Sequence, residues 1–287
     1  MKIISPAKIN LSLSVGSVRA DGFHALDSLV HLLTLHDELL LTPADSFRFS
    51  STVDLAIPDD DNLVVRAVTA MADLYKKPLP PLHFNLCKHI PHGAGLGGGS
   101  SNAAAAIYAL SLLWNLHPAD PKHLQLAADL GSDVPLFLAA TAASIMTGRG
   151  ELLHQSLPAI PGLPLLIVKP KDAHSSTAAV YQTFDKDPRP PHAISSAHNS
   201  WKNNLEAAAT SVSPQTGTVL NWLRESKGVE RALVAGSGSA CWALCLCAKV
   251  AAGLQLQAEG KGWWAQTTTT ADKGIYASVP SGQRRVL

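Results

Sequence analysis

The sequence predicts an α+β protein built in two parts. Three observations carry this. Strand-like alternation opens the chain, with Ile9, Leu11, Leu13 and Val15 on one face and Lys8, Asn10, Ser12 and Ser14 on the other. Strand and helix patterns then follow one another without a regular βαβ rhythm. A proline-rich stretch, Leu157 to Pro164, divides the chain into residues 1–157 and 158–287. The 287 residues suffice for one large domain or two small ones.

Each element has a local reason. The alternating N-terminal run reads as a half-buried strand. Arg19-Ala-Asp-Gly22 is a turn into an apolar segment, Phe23 to Leu35. Asp59-Asp-Asp-Asn62 is a turn and helix cap before Leu63 to Met71, which has helical spacing until Pro78, Pro80 and Pro81 break it. His83 to Lys88 alternates as a short strand. A glycine-rich loop, Pro91 to Asn102, leads into an alanine-rich helix ending near Asn115. Lys122 to Leu130 is a further helix, and Gly131-Ser-Asp-Val-Pro135 is a helix start with proline in its first turn. Leu165 to Val168 is a buried strand and Pro188 to Pro191 a loop. Gln215 to Arg224 is a helix, Ala232 to Ala248 a strand, glycine turn and strand, Val250 to Glu259 a helix, and Thr267 to Thr270 a short strand.

Composition narrows the function classes. Lys plus Arg is 23 against 22 for Asp plus Glu, a net charge of +1. That balance argues against a broad nucleic-acid surface but leaves room for a local site for a small anion. Hydrophobic residues at 46% and charged residues at 16% suit a buried core rather than disorder. Cys241, Cys245 and Cys247 occupy odd positions of one apolar run, so they share a strand face, and no His joins them. They read as buried, reduced thiols in a reducing compartment. Met1-Lys-Ile-Ile runs directly into Ser5-Pro-Ala-Lys8 without a signal-peptide pattern, and no apolar run approaches the ~18 residues of a membrane span. The expectation is a soluble cytoplasmic protein acting on small molecules, without membrane or nucleic-acid partners. Nothing in the sequence sets an oligomeric state.

The glycine-rich loop is the most informative stretch. Gly93, Ala94, Gly95, Gly97, Gly98 and Gly99 put no usable side chain between the backbone N–H groups and an anion. Ser100, Ser101 and Asn102 are good N-caps, and the helix starting at Ala103 adds its positive dipole end. The pattern reads as a phosphate cradle. Gly93-x-Gly95-x-x-Gly98 fits the dinucleotide fingerprint, but no Asp or Glu occurs before Asp120, where an acidic residue about 20 positions on is required. No Lys follows the glycines as in a P-loop, and the HRD and DFG signatures of protein kinases are absent.

Pro91-x-Gly-Ala-Gly-Leu-Gly-Gly-Gly-Ser-Ser101 resembles the phosphate loop of the GHMP small-molecule kinases. Ser5-Pro-Ala-Lys-Ile-Asn-Leu-Ser12 resembles the first motif of that family. Val234-Ala-Gly-Ser-Gly-Ser-Ala-Cys241 resembles the third, with Ala235 where many members carry Ser or Thr. Arg19-Ala-Asp-Gly-Phe-His24 and Leu130-Gly-Ser-Asp-Val-Pro135 are most similar to the branch acting on a cytidine diphosphate-linked polyol. The resemblance implies the two-domain α+β GHMP kinase fold. A ribosomal-S5-like, ATP-binding domain would span 1–157 and a ferredoxin-like domain 158–287, with the site in the cleft between them. It implies ATP-dependent phosphorylation of the 2-hydroxyl of 4-diphosphocytidyl-2-C-methyl-D-erythritol in non-mevalonate isoprenoid precursor biosynthesis. Another GHMP kinase, such as a homoserine kinase, is the alternative, and Asp-Gly-Phe-His separates the two because other members have no cytosine to bind. A non-catalytic nucleotide-binding regulator on the same fold is argued against by the presence of both Lys8 and Asp133.

Phosphoryl transfer needs positioning, charge stabilisation and a base for the hydroxyl proton. The resemblance assigns Asp133 as the base, although its Asp-x-Pro context suits a plain N-cap equally well. It assigns Lys8 to keep that carboxylate ionised and to stabilise the transferring phosphoryl group, with Asn10 on the same strand face reaching the same ligand. Phe23 is implied as a stacking surface for cytosine and His24 as a hydrogen-bonding partner of the base. Asn62 and Asn102 would line the nucleotide pocket, with Pro91, Gly93, Ala94, Gly95, Leu96, Gly97, Gly98, Gly99, Ser100 and Ser101 around the phosphates. Ser176, Thr177 and Tyr181 would stand near the acceptor. No extra carboxylate flanks the loop, so no protein metal ligand is assigned. Mg²⁺ is expected to be held mainly by the ATP phosphates, with Ser100 or Ser101.

Overall fold

The computed structural model describes residues 1–278 apart from 140, 172, 174 and 175. Two sheets organise it. The first is built on a long antiparallel pair, β1 (Lys2–Val18) and β2 (His24–Pro43). β3 (Arg48–Ser51) is followed by helix α1 (Leu63–Leu74) and β4 (Leu82–Cys87). Helices α2 (Gly98–Leu113), α3 (Pro121–Leu130) and α4 (Val134–Leu138) come next, then β5 (Ala143–Thr147) and β6 (Leu152–Leu157). β2 serves two partners on one edge: residues 38–43 pair with β4, and residues 28–31 pair with β5.

The second half supplies β7 (Pro164–Lys169), α5 (Thr177–Phe184), α6 (Glu206–Val212), α7 (Pro214–Glu225), β8 (Val229–Val234), β9 (Cys241–Cys245), α8 (Ala248–Gly260) and β10 (Trp264–Thr269). Its strands form a four-stranded antiparallel sheet in the order β10-β7-β9-β8. A last strand, β11 (Tyr276–Ser278), returns to pair with β1. The change of sheet thus falls between Leu157 and Pro164, yet the chain crosses back at its end. Among the described residues no helix is long and apolar enough to cross a membrane.

Packing explains where the sequence pattern and the structure part. Alternation alone makes β1 half-buried, but both of its faces are covered. Ile9 and Leu11 join a core with Leu165, Ile167 and Trp242 of the second sheet. On the other face Ser12 bonds His192 and the Lys202 carbonyl, Ser14 accepts from the His192 amide, and Lys8 is only 6% exposed. α2 is buried through Ala103, Ala104, Ala105 and Ala106, whose small side chains let it lie close to α1 and β1.

Two local expectations are corrected. α2 starts at Gly98, and its N-cap is Gly97 in the left-handed region at φ 70°, so Ser100, Ser101 and Asn102 lie inside the helix and cap nothing. The three cysteines do not share one strand face. β9 ends at Cys245, and Cys247 leaves the sheet as the exposed N-cap of α8, while Cys241 and Cys245 are buried. Burial pushes both of those thiols up, Cys245 to about 11.

Candidate active site

Two pockets meet at the glycine-rich loop. One, of about 390 Å³, is lined by residues 91–100 together with Asn62, Leu63, Lys88 and Asn102. Asn62 caps α1 by accepting from the Val64 amide at 2.9 Å and lines this pocket at the same time. Gly93, Gly95 and Gly97 all have positive φ, which lets successive peptide units turn without a Cβ in the way. The larger pocket, about 690 Å³, is lined by Lys8, Asn10, Phe23, His24, Asp133 and Tyr181 among others. Gly95, Gly97 and Ser100 belong to both, so the loop is the wall the two sites share.

At this junction β1 delivers Lys8. A register shift between Pro6 and Lys8 interrupts the β1–β2 ladder, and the Lys8 amide turns to the Leu96 carbonyl of the loop at 2.9 Å. Lys8 Nζ donates to Asn10 Oδ1 at 2.9 Å and lies 3.4 Å from Asp133 Oδ2. Asn10 is itself held, its Nδ2 donating to Ser28 Oγ at 2.7 Å. Asp133 sits at the N-terminus of α4 but makes no capping bond, and its side chain is 41% exposed to the cleft. Its backbone at φ −82°, ψ −12° is already helical, whereas a capping side chain folds back from an extended residue. The carboxylate is therefore free to meet a ligand. The third glycine-rich segment backs the pair: a Cβ on Gly236 would lie 3.4 Å from Asn10 Oδ1 and 3.7 Å from Lys8 Nζ.

The far end of the larger pocket is aromatic. Phe23 is half exposed, and the Arg149 guanidinium lies 5.0 Å from its ring centre. The His24 ring packs 5.1 Å from Tyr181 and 5.8 Å from Phe184. Both His24 nitrogens already face oxygens, Nδ1 the Gly16 carbonyl at 2.9 Å and Nε2 Asp185 Oδ1 at 3.0 Å. A base reaching that ring must displace Asp185 or use the backbone instead. Burial, with Asp133 nearby, pushes the Tyr181 hydroxyl up to about 12, so it remains a neutral donor. Ser176 caps α5, and Thr177 Oγ1 lies 3.0 Å from Ser237 Oγ.

The GHMP kinases N terminal domain model matches residues 62–141. A 4-diphosphocytidyl-2-C-methyl-D-erythritol kinase from Caulobacter vibrioides is 37% identical, over 92% of this chain and 97% of its own. The chain belongs to the 4-diphosphocytidyl-2-C-methyl-D-erythritol kinase family, a branch of the GHMP kinases. A crystal structure of a 4-(cytidine 5'-diphospho)-2C-methyl-D-erythritol kinase, 29% identical, superposes with a TM-score of 0.71 over 94% of this chain and all of the other. A homoserine kinase from Cytophaga hutchinsonii, 18% identical, superposes at 0.67 over 96% of each chain and shares the fold alone.

Sequence reasoning missed the support beneath the glycine-rich loop of this GHMP kinase. Asp37 of β2 is fully buried. Its Oδ1 accepts from the His89 and Ile90 amides at 2.7 and 2.8 Å, and its Oδ2 takes Lys88 Nζ at 2.5 Å and Asn102 Nδ2 at 3.0 Å. Asn102 Nδ2 also donates to Ser5 Oγ, which donates to Ser101 Oγ. Ser101 is thus turned into the interior and lines neither pocket, while Ser100 lines both. Burial pulls the Lys88 ammonium down, with Asp37 opposing. No local pattern marks Asp37. It is one of three acidic residues in β2, beside Glu38, and its partners come from the segment before the loop and from α2.

Proposed function

We propose that this chain transfers the γ-phosphoryl group of ATP to the 2-hydroxyl of 4-diphosphocytidyl-2-C-methyl-D-erythritol. One observation carries the reading: the Lys8–Asp133 pair stands where the glycine-loop pocket and the aromatic-ended pocket meet. ATP lies in the first pocket, with Pro91 to Ser100 around its phosphates and Asn62 and Asn102 alongside. The acceptor lies in the second, with its cytosine at Phe23, His24 and Tyr181 and its hydroxyl at Asp133. Asp133 takes the hydroxyl proton. Lys8, oriented by Asn10, faces the charge that builds on the transferring group. Thr177 flanks the acceptor.

The residues present suit a nucleotide-borne Mg²⁺. Ser100 lines both pockets beside the proposed phosphate site and is the side chain placed to reach a metal carried by the nucleotide. Bound Mg²⁺ would neutralise phosphate charge, with Ser100 as its protein contact. Residues 1–157 then serve as the ATP-binding domain and 158–287 as the second domain, which contributes Thr177, Tyr181 and the Gly236 segment. Homoserine kinase activity is the weaker reading, because a free amino acid has no use for an aromatic end in its pocket. Turnover of ATP with the cytidine-linked acceptor, homoserine and mevalonate in parallel tests the choice. The expected result is activity on the first alone. Activity on homoserine without activity on the cytidine compound would overturn it.

A further inference from the structure

Arg149 stands in the acceptor pocket in a position the roles above do not use. It lies in the turn between β5 and β6, flanked by Gly148 and Gly150, both with positive φ. That turn is fixed on two sides. The Leu26 amide donates to the Gly148 carbonyl at 2.9 Å, two residues past His24. A Cβ on Gly150 would lie 3.9 Å from the Ser132 side chain, next to Asp133. Arg149 thus sits between the aromatic end of the pocket and its carboxylate end. A nucleoside diphosphate joined to a polyol carries its two phosphates in that same middle stretch.

Charge accounting points the same way. Among the described residues lining this pocket, Lys8 and Arg149 are the lysine and arginine side chains, opposed by Asp133 and Asp185. Lys8 is already engaged by Asn10 and Asp133. An acceptor diphosphate therefore enters a pocket whose one cation outside the Lys8–Asp133 pair is Arg149, and burying that anion without a partner is costly. The guanidinium has donors to spare. Its own contacts are long: Nη2 to the Ala128 carbonyl at 3.4 Å, and a loose ion pair of Nε with Glu151 Oε1 at 4.0 Å, which partly offsets its charge. A planar fork of N–H donors is the group best matched to phosphate oxygens. Its Cζ lies 5.0 Å from the Phe23 ring centre, a cation–π contact that does not consume its N–H donors.

We propose that Arg149 binds the diphosphate of the acceptor, so that the pocket selects a charged nucleotide-linked substrate over a bare nucleoside. This rests on the acceptor assignment made above. The test is calorimetric binding of CDP and of cytidine to the wild-type chain, Arg149→Met and Arg149→Lys, with the ATP site filled by a non-hydrolysable ATP analogue and Mg²⁺. Wild type should bind CDP at least about 10-fold more tightly than cytidine. Arg149→Met should weaken CDP about 10- to 100-fold and cytidine less than about threefold, the range for losing charge-assisted hydrogen bonds. Arg149→Lys should recover part of the CDP advantage. Equal losses for CDP and cytidine in Arg149→Met would mean that Arg149 only steadies Phe23, and would overturn the proposal. Equal affinity of wild type for the two ligands would overturn it while leaving the base site standing. Binding of neither by wild type would remove the acceptor assignment itself, and this proposal with it.

Discussion

Asp133 carries two readings in the sequence, and its surroundings in the fold bear on the choice between them. In the sequence it is a cap and a base in equal measure. In the fold it makes no capping bond, points into the cleft and lies 3.4 Å from Lys8 Nζ. Asp133→Asn should therefore lower turnover about 10²- to 10⁴-fold, the usual worth of a positioned base. Affinity for ATP and acceptor should stay near wild type, and thermal stability should hardly move. Single-turnover kinetics and a melting curve check both halves. A destabilised protein with an unchanged rate per folded molecule would restore the capping role. The residue was singled out in the sequence by the family resemblance of Leu130-Gly-Ser-Asp-Val-Pro135. The choice between roles was not legible there, because it depends on φ, ψ and on a lysine far away in the chain.

At the scale of the element, the glycine-rich loop and α2 make one device, but its glycines do different things. A Cβ at Gly97 would fall 2.9 Å from Phe137 Cζ and 3.0 Å from Lys8 Cγ, at φ +70°. At Gly95 it would fall on the Ala235 carbonyl, and at Gly98 it would meet Ile90 and Lys88. At Gly99 the nearest atom is Leu63 Cδ1 at 3.7 Å. Gly97→Val should thus damage folding and Lys8 placement together, lowering both the melting temperature and turnover. Gly99→Val should keep the fold and raise the dissociation constant for ATP about 10-fold or more, because its side chain enters the nucleotide pocket. Melting curves and ATP titrations on the two variants separate the cases. Undisturbed ATP binding by folded Gly99→Val would argue against the cradle. The sequence made the loop's freedom from side chains visible. It did not distinguish glycines whose Cβ would open into the pocket from glycines that leave room for neighbouring protein.

At the scale of the whole molecule, His31 ties the crossing between sheets to β2. Its Nδ1 donates to the Leu32 carbonyl at 2.8 Å, and its Nε2 accepts from the Ile160 amide at 3.1 Å, an arrangement that needs the neutral ring. Burial holds its pKa below the usual 6.5. A histidine lowered in the folded state binds its proton more readily when unfolded. Its contribution is therefore complete above about pH 6.5 and is lost as pH falls toward the folded value, with a slope of up to about 1.4 kcal/mol per pH unit. Urea unfolding of wild type and His31→Gln between about pH 7.5 and pH 5 should show the stability gap narrowing on acidification. A gap that stays constant over that range would mean His31 does not titrate with folding.

The sequence by itself determined the local grammar of this protein. Period-two alternation set β1, the Asn62 cap set the start of α1, and a run without side chains set the glycine-rich loop, since each follows from dihedral preference and spacing within one segment. Only the tertiary structure decided what those segments face. It covered the polar side of β1, turned Ser101 inward, carried Cys247 out of the sheet, and gathered Asp37, Lys88 and Asn102 beneath the loop. It brought Asp133 from α4 to Lys8 on β1, and Arg149 from the β5–β6 turn to Phe23. The reason is physical. Backbone conformation is fixed by near neighbours, whereas burial and the pairing of charges depend on which distant elements exclude water from the same place.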